Sequence, residues 1–228
     1  MNRQIVLYSG GLDSTCLLTE VATGYPGHTM ALNVGYGSKH QAFEQSAARA
    51  VAEKLGVPLQ VVSLPLDTLG FESTLLKTGG KVPEGHYADA TMRSTVVPFR
   101  NGILLALAVG VAENIGAADV WIASHFGDHP VYPDCREDFS RAFAEAARLG
   151  TYAGVRLRYP YAAIPKEQVL ARGLKVAAPV QLSWSCYQPS PTGKHCGKCG
   201  TCVERREAFQ LAGVIDPTEY EDGNNKDV

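Results

Sequence analysis

The chain has almost no charge of one sign to spare. Twenty-one basic residues stand against 23 acidic ones, a formal net charge of −2 over 228 residues. That balance excludes a global pull toward nucleic acid and leaves room only for a local basic patch. No apolar run approaches the roughly 18 residues that a membrane span needs, so no membrane association is expected. The stretch MNRQIVLYSGG reaches a glycine turn too early for the apolar region of a secretory signal. The expected compartment is therefore the cytoplasm, where cysteines stay reduced and serve metals or catalysis more often than disulfides. There is no internal repeat, and the one biased segment is the polar tail EDGNNKDV at 221–228, expected to be disordered. Hydrophobic residues make up 45% of the chain, enough for a packed core.

Two common phosphate-binding fingerprints are also missing. Neither G-x-x-x-x-G-K-[ST] nor G-x-G-x-x-G occurs, which excludes a P-loop and a dinucleotide-binding turn of the usual kind. In their place stands LYSGGLDSTCLL, Leu7–Leu18, a short apolar run entering a glycine pair and then a helical pattern. Gly10 and Gly11 let backbone amides approach an anion, and the helix start that follows adds partial positive charge. Ser9, Ser14 and Thr15 supply hydroxyls. Asp13 is placed either to cap the helix or to sit near a phosphate-bound magnesium. Cys16, inside that helix, reads as a small core residue.

Beyond this loop, strands and helices alternate. Strands are expected at 3–9, 28–34, 58–64, 119–125 and 155–161. Helices are expected at 13–23, 40–56, 101–117, 134–150 and 165–173, the one at 101–117 nearly wholly buried. The pattern predicts an α/β fold: a doubly wound, mostly parallel five-stranded sheet with helices on both faces. Residues 65–97 lack a strong period and read as a lid or substrate loop. Ligands of such sheets bind beyond the carboxyl ends of the strands, which brings residues 9–14, 33–41 and 125–136 to one edge.

The last of these segments, HFGDHPVYPDCRE, concentrates His125, Asp128, His129, Asp134 and Arg136. Carboxylates there can accept from ring N–H donors, an arginine can grip a carboxylate or phosphate, and histidines can move protons near neutral pH. Asp134 also suits simple helix capping. Cys135 stands where a helix dipole would lower a thiol pKa, which would suit a nucleophile, but a packed bystander is the preferred reading. Four further cysteines, Cys186, Cys196, Cys199 and Cys202, are spaced for a closed tetrahedral metal site, read here as structural zinc. An iron–sulfur cluster, a disulfide pair and four unrelated thiols are the alternatives. His195, beside Cys196, reads as a solvated loop residue.

SGGLDST resembles the pyrophosphate loop of the PP-loop ATP pyrophosphatases, which cleave ATP to AMP and pyrophosphate. Taken with YPDCR, VPFRNGILLALAVGVAE and SWSCY…CGKCGTCVERREAF, the resemblance narrows to the 7-cyano-7-deazaguanine synthases, over roughly Gln4–Phe209. It implies an ATP-dependent carbon–nitrogen ligase of queuosine and deazaguanine biosynthesis, converting 7-carboxy-7-deazaguanine and ammonia to the nitrile through adenylate and amide. It implies an ATP loop at Tyr8–Leu18, hence Leu12, Leu17 and Leu18 beside the residues above, with Mg²⁺ accompanying ATP. It also implies one structural zinc on the four cysteines and a homodimer, with no direct nucleic-acid partner. Residues 1–183 would form the ATP-binding domain and 184–220 a zinc-binding module packed on it. Asp13, Lys166, Asp134 and Arg136 are the candidate catalytic residues, with Lys166 and Arg100 neutralising phosphate charge. Arg100 joins His125, Asp128, His129, Asp134 and Arg136 as candidate substrate contacts. Three positions depart from the family's common form: Ser38 for glutamine, Phe99 for glycine, and the wording of the 125–136 loop. The rival readings are a tRNA thiolation enzyme with Cys135 as nucleophile, and a non-enzymatic zinc-knuckle binding module.

Overall fold

The computed structural model describes residues 2–86 and 90–223. The tail at 224–228, part of the segment expected to be disordered, lies outside the described residues. Five strands form one sheet: β1 (Arg3–Leu7), β2 (Thr29–Gly35), β3 (Leu59–Ser63), β4 (Ala117–Trp121) and β5 (Arg156–Arg158). Their order is β3-β2-β1-β4-β5, and all four pairings are parallel. Parallel strands covered on both faces need apolar residues on both, and β1 and β2 carry them: Ile5, Val6, Ala31 and Leu32 are fully buried.

The helices are α1 (Leu12–Gly24), α2 (Gln41–Leu55), α3 (Arg100–Ile115), α4 (Glu137–Leu149), α5 (Lys166–Lys175) and α6 (Gly200–Leu211). On one face Val6 and Tyr8 meet Leu17, Leu18, Val51, Val169, Leu170 and Phe209 from α1, α2, α5 and α6. On the other, Ile5, Leu32 and Val120 meet Leu105, Ala108, Ala112 and Ala147 from α3 and α4. Cys16 is a core residue, pressed so closely by α5 that a Cβ at Gly173 would strike its sulfur. The α/β, doubly wound architecture is the expected one, and the sheet is parallel throughout.

Some local expectations change. The segment containing α3, Thr91–Ile115, reaches a mean hydropathy of 1.7 over an 18-residue window, so an apolar stretch of spanning length does exist. It is a core helix here, with Leu104, Leu105, Ala108, Val109 and Ala112 buried against the sheet and Ala106 and Gly110 exposed. Residues 65–97 are not a free lid where described. Leu66, Leu75, Leu76, Val82 and Val97 build a small core with Tyr36, Tyr220 and three of the cysteines. Helix α6 adds to the five helices that the sequence pattern predicts. Phe99 precedes α3 at φ 54°, in the left-handed region that favours glycine. Its ring stands over Gly102 and meets Phe139 edge-on at 5.6 Å.

This strand order sets the site. From β1 the chain winds outward to β2 and β3, then returns to the opposite side as β4 and β5. The switch point lies between β1 and β4, where their following loops separate and leave a crevice.

Candidate active site

The loop from β1 to α1 occupies one side of that crevice. Gly10 sits at φ 95°, and a Cβ there would collide with the Glu44 carbonyl of α2. The loop is held from behind. Asn33 of β2 donates Nδ2–H to the Tyr8 carbonyl at 2.9 Å, and the Trp184 amide donates to the Gly10 carbonyl at 2.9 Å. Ser9 Oγ accepts from the Gly11 amide at 3.1 Å and bonds Ser14 Oγ at 3.0 Å, while Tyr8 OH bonds Thr15 Oγ1 at 3.1 Å. With the carbonyls engaged, the first-turn amides of α1 remain as an anion-binding end carrying the positive pole of the helix.

Asp13 does not cap α1; Gly11 is the N-cap residue and no side chain caps the helix. Instead Asp13 Oδ2 accepts from Lys166 Nζ at 2.8 Å, and Lys166 Nζ donates a second bond to Glu204 Oε2 at 2.9 Å. Lys166 opens α5 and Glu204 lies in the first turns of α6, so three helix starts meet here. Burial favours the neutral form of Asp13, but the charge of Lys166 and the hydrogen bond it donates outweigh it and hold the Asp13 pKa low. Burial likewise opposes the charge on Lys166, and Asp13 and Glu204 overcome it, so the ammonium is retained. His125 Nδ1 accepts from the Gly127 amide at 3.0 Å, which leaves the proton of the neutral ring on Nε2. That atom lies 3.7–3.8 Å from carboxylate oxygens of Glu204, Asp13 and Asp128.

Between the loop and α3 lies a cavity of about 200 Å³. Ser9, Gly11, Asp13 and Ser14 form one wall, Gly35, Tyr36, Glu44 and Gln45 a second, and Arg100, Asn101, Tyr132 and Tyr187 a third. The Arg100 guanidinium donates to Tyr36 OH at 3.2 Å and lies over the rings of Tyr36 and Tyr132, 5.2 and 5.8 Å from their centroids. No carboxylate lies within 4 Å of it among the described residues. A half-buried cation with phenols and ring faces as its near partners is prepared for an anionic ligand.

The 125–136 loop divides between this crevice and its own scaffolding. Asp128 lines the cavity and His125 stands behind Asp13, while His129, Asp134 and Arg136 are not among the described residues of the lining. Asp134 Oδ2 accepts from the Asn101 amide at 2.7 Å, so it caps α3 rather than its own helix. Arg136 Nε donates to the His129 carbonyl at 3.2 Å on the surface. Cys135 lines the cavity but lies in the turn before α4. Burial and the nearby Asp128 and Asp134 push its thiol well above the usual range, opposite to the lowering expected from a helix start.

The four cysteine sulfurs lie within 4.8 Å of one another, close enough to share a metal ion. Three of the sulfur pairs stand 3.5 Å (Cys199–Cys202), 3.9 Å (Cys196–Cys202) and 4.0 Å (Cys199–Cys186) apart. Amides of Cys196, Lys198 and Cys199 donate to the sulfurs of Cys186 and Cys196 at 3.3–3.4 Å, as second-layer partners of thiolates do. His195 is buried, not solvated. It stacks by Trp184 at 4.1 Å and accepts from the Ser185 amide at 3.1 Å through Nε2. Fully buried Arg205 fastens α6 to the preceding segment through Ser183, Ser185 and the Val180 carbonyl.

Two residues of this arrangement were not singled out from sequence. Glu204 was visible only as part of ERREAF, and its meaning depends on α6 folding back onto α5. Glu44 read as a polar position of an amphipathic helix, with nothing local to mark its side chain as inward.

The queuosine biosynthesis protein QueC family model matches residues 3–213. A 7-cyano-7-deazaguanine synthase of Porphyromonas gingivalis is 48% identical over 219 residues, covering 95% of this chain and 96% of that protein. One from Brucella ovis is 44% identical over 224 residues, covering 97% and 95%. Among solved structures, the U34-tRNA thiolase NcsA from Methanococcus maripaludis with its 4Fe–4S cluster aligns at TM-score 0.48 and 16% identity, covering 96% of this chain and 74% of that one. That likeness is too slight to bear on chemistry. With the glycine loop, the 125–136 loop and the four cysteines all inside one family match of 211 residues, 3–213, this chain belongs to the QueC family.

Proposed function

We propose that the chain is an ATP-dependent ligase that converts 7-carboxy-7-deazaguanine and ammonia to 7-cyano-7-deazaguanine. The observation that carries this reading is the near-full-length family match, laid over a crevice where an anion-binding helix start faces a half-buried arginine with no carboxylate within 4 Å among the described residues.

A carboxylate resists ammonia because oxide is a poor leaving group. In the proposed sequence, a carboxylate oxygen attacks the α-phosphorus of ATP, the bond to the bridging oxygen breaks, and pyrophosphate departs onto the amides of the Gly10–Ser14 loop. Those fixed dipoles stabilise the developing charge without reorganisation. Ammonia then attacks the acyl carbon, AMP leaves, and the amide results after loss of a proton. A second ATP activates the amide oxygen in the same way; the carbon–oxygen bond breaks with AMP, the nitrogen gives up its protons, and the nitrile forms. The missing P-loop lysine suits this chemistry, since bond breaking falls at the α-phosphate.

Arg100 would hold the substrate carboxylate or a phosphate, and Lys166, balanced between Asp13 and Glu204, would orient Asp13 toward the nucleotide. Mg²⁺ brought by ATP would offset pyrophosphate charge, and Asp13 fits as its holder because Oδ1 is buried without a hydrogen-bond partner among the described residues. The cysteine site is proposed to hold zinc. Zn–S bonds of about 2.3 Å place tetrahedral sulfurs about 3.8 Å apart, which the separations of 3.5–4.0 Å match. An iron–sulfur cube gives each thiolate its own iron and spreads them wider. Closed on four thiolates, the ion would fasten residues 184–220 to the nucleotide-binding part. A homodimer remains the expectation from the family resemblance.

The test is to incubate the zinc-loaded protein with ATP, Mg²⁺, ammonium and 7-carboxy-7-deazaguanine. AMP and the nitrile are expected together; no AMP formation overturns the reading.

A further inference from the structure

A ring that carries a carboxylate at one end and N–H donors at the other needs two opposite partners in its pocket. Arg100 supplies the first. For the second, three carboxylates line the cavity: Asp13, Asp128 and Glu44. Asp13 is engaged by Lys166 at 2.8 Å, and Asp128 accepts from the His125 amide at 3.1 Å. Glu44 has neither kind of partner. Among the described residues no lysine or arginine nitrogen lies within 4 Å of it and no hydrogen-bond donor reaches it. Among the described residues its one ion-pair-range contact is His40 Nε2 at 3.6 Å, whose pKa burial lowers to about 3, so that contact brings no charge.

The side chain is nonetheless built in. It is 17% exposed, on the first turns of α2, where that helix presses on Gly10. Isolating a carboxyl this way disfavours its charge, and burial pushes the Glu44 carboxyl up to about 8 against the opposing pull of Arg100. A position that costs stability and serves no internal contact is a position kept for a ligand.

We propose that Glu44 is the specificity-determining residue for the purine edge of the substrate. The ring's two N–H donors favour the ionised form of Glu44 on binding, and its carboxylate accepts from N1–H and the exocyclic 2-amino group, while Arg100 takes the opposite, carboxylate end. This deepens the ligase reading and rests on it. Base-edge chemistry decides the assignment in favour of the deazaguanine over ATP. The guanine edge offers two adjacent donors, which one carboxylate satisfies; the adenine edge sets an acceptor beside its donor, which a carboxylate repels. A second consequence is discrimination: an analogue without the 2-amino group leaves one carboxylate oxygen desolvated and unpaired.

The experiment compares wild type and Glu44→Gln, both zinc-loaded and checked by thermal melting. It measures turnover of 7-carboxy-7-deazaguanine and of its analogue bearing hydrogen in place of the 2-amino group, together with the KM for ATP. Wild type is expected to prefer the deazaguanine by tenfold or more, the worth of one charge-assisted hydrogen bond. Glu44→Gln is expected to raise the KM for the deazaguanine by about 100-fold, to lose that preference, and to leave the KM for ATP within a few-fold. A folded Glu44→Gln variant that keeps the wild-type preference, or that loses ATP affinity instead, overturns this assignment alone. A wild type that makes nitrile from neither acid overturns the ligase reading and this one with it.

Discussion

Replacing Glu44 by glutamine should make the unliganded protein more stable at pH 9 and leave it nearly unchanged at pH 4.5. The unfolded chain releases the Glu44 proton near pH 4.5, whereas the folded protein holds it to about pH 8. Between those values the folded state binds more protons, so the wild type loses stability as pH rises and stops losing it above pH 8. Glutamine, neutral throughout, escapes this loss. Among the described residues nothing else facing the carboxyl titrates in the window: His40 is neutral down to about 3, Arg100 stays charged, and the Tyr36 phenol is pushed up to about 12. At about 1.36 kcal/mol per unit, the ceiling on the gain is about 5 kcal/mol. The cavity admits water, so a gain of about 1–3 kcal/mol is the working expectation, or roughly 2–10 °C in melting temperature for a chain of this size. The assay is thermal melting of both metal-loaded proteins without ligand at the two pH values. Taking the difference of differences removes any change in packing common to both. A glutamine variant whose advantage does not grow with pH, or turns into a deficit at pH 9, would refute the claim that this carboxyl is isolated in the fold.

Other perturbations follow from the same geometry. Lys166→Met leaves Asp13 and Glu204 facing each other without a cation and should cost about 3–5 kcal/mol in chemical denaturation. It should also slow AMP release by 100-fold or more; unchanged ATP turnover would remove Lys166 from the site. Gly10→Ala meets both the positive φ and the Glu44 carbonyl, so it should lower stability by about 1–3 kcal/mol and abolish nucleotide binding in calorimetry. Chelation should unfold α6 from the body and end activity, with zinc restoring both; elemental analysis should find one ion per chain, and visible absorbance of an iron–sulfur centre would contradict zinc. Ala177→Gly relieves an exposed residue at φ 55° after α5 and should raise stability by about 1 kcal/mol, readable as a melting shift with activity unchanged.

Local chemistry was readable before topology was. The glycine pair, the helix start and the four cysteines announce themselves because each function needs those residue types at short spacing. The runs around Ile5, Leu32 and Val120 marked the strands, since strands buried on both faces cannot hide their hydrophobicity. The order of those strands was not readable, and with it went the partners of each loop. The polar residues of 125–136 could not be sorted by sequence either. Asp134 and Arg136 serve the backbone of α3 and of their own loop, whereas His125 and Asp128 turn inward, a choice made by the fold of β4's exit. Arg205 and Glu204 show the same limit. Adjacent in sequence, one is sealed among serines and the other faces Lys166, because successive residues of a helix point to different neighbours.

The 2.9 Å bond from the Trp184 amide to the Gly10 carbonyl joins the cysteine segment directly to the glycine loop. Its consequence is thermodynamic reciprocity. If a held metal keeps Trp184 in place and so favours the loop conformation that accepts nucleotide, then bound nucleotide must tighten the metal by the same factor. The two ligands occupy separate places and never touch. Yet the fraction of metal that a chelator removes at equilibrium should fall as ATP is added, one tether of backbone setting the terms for both.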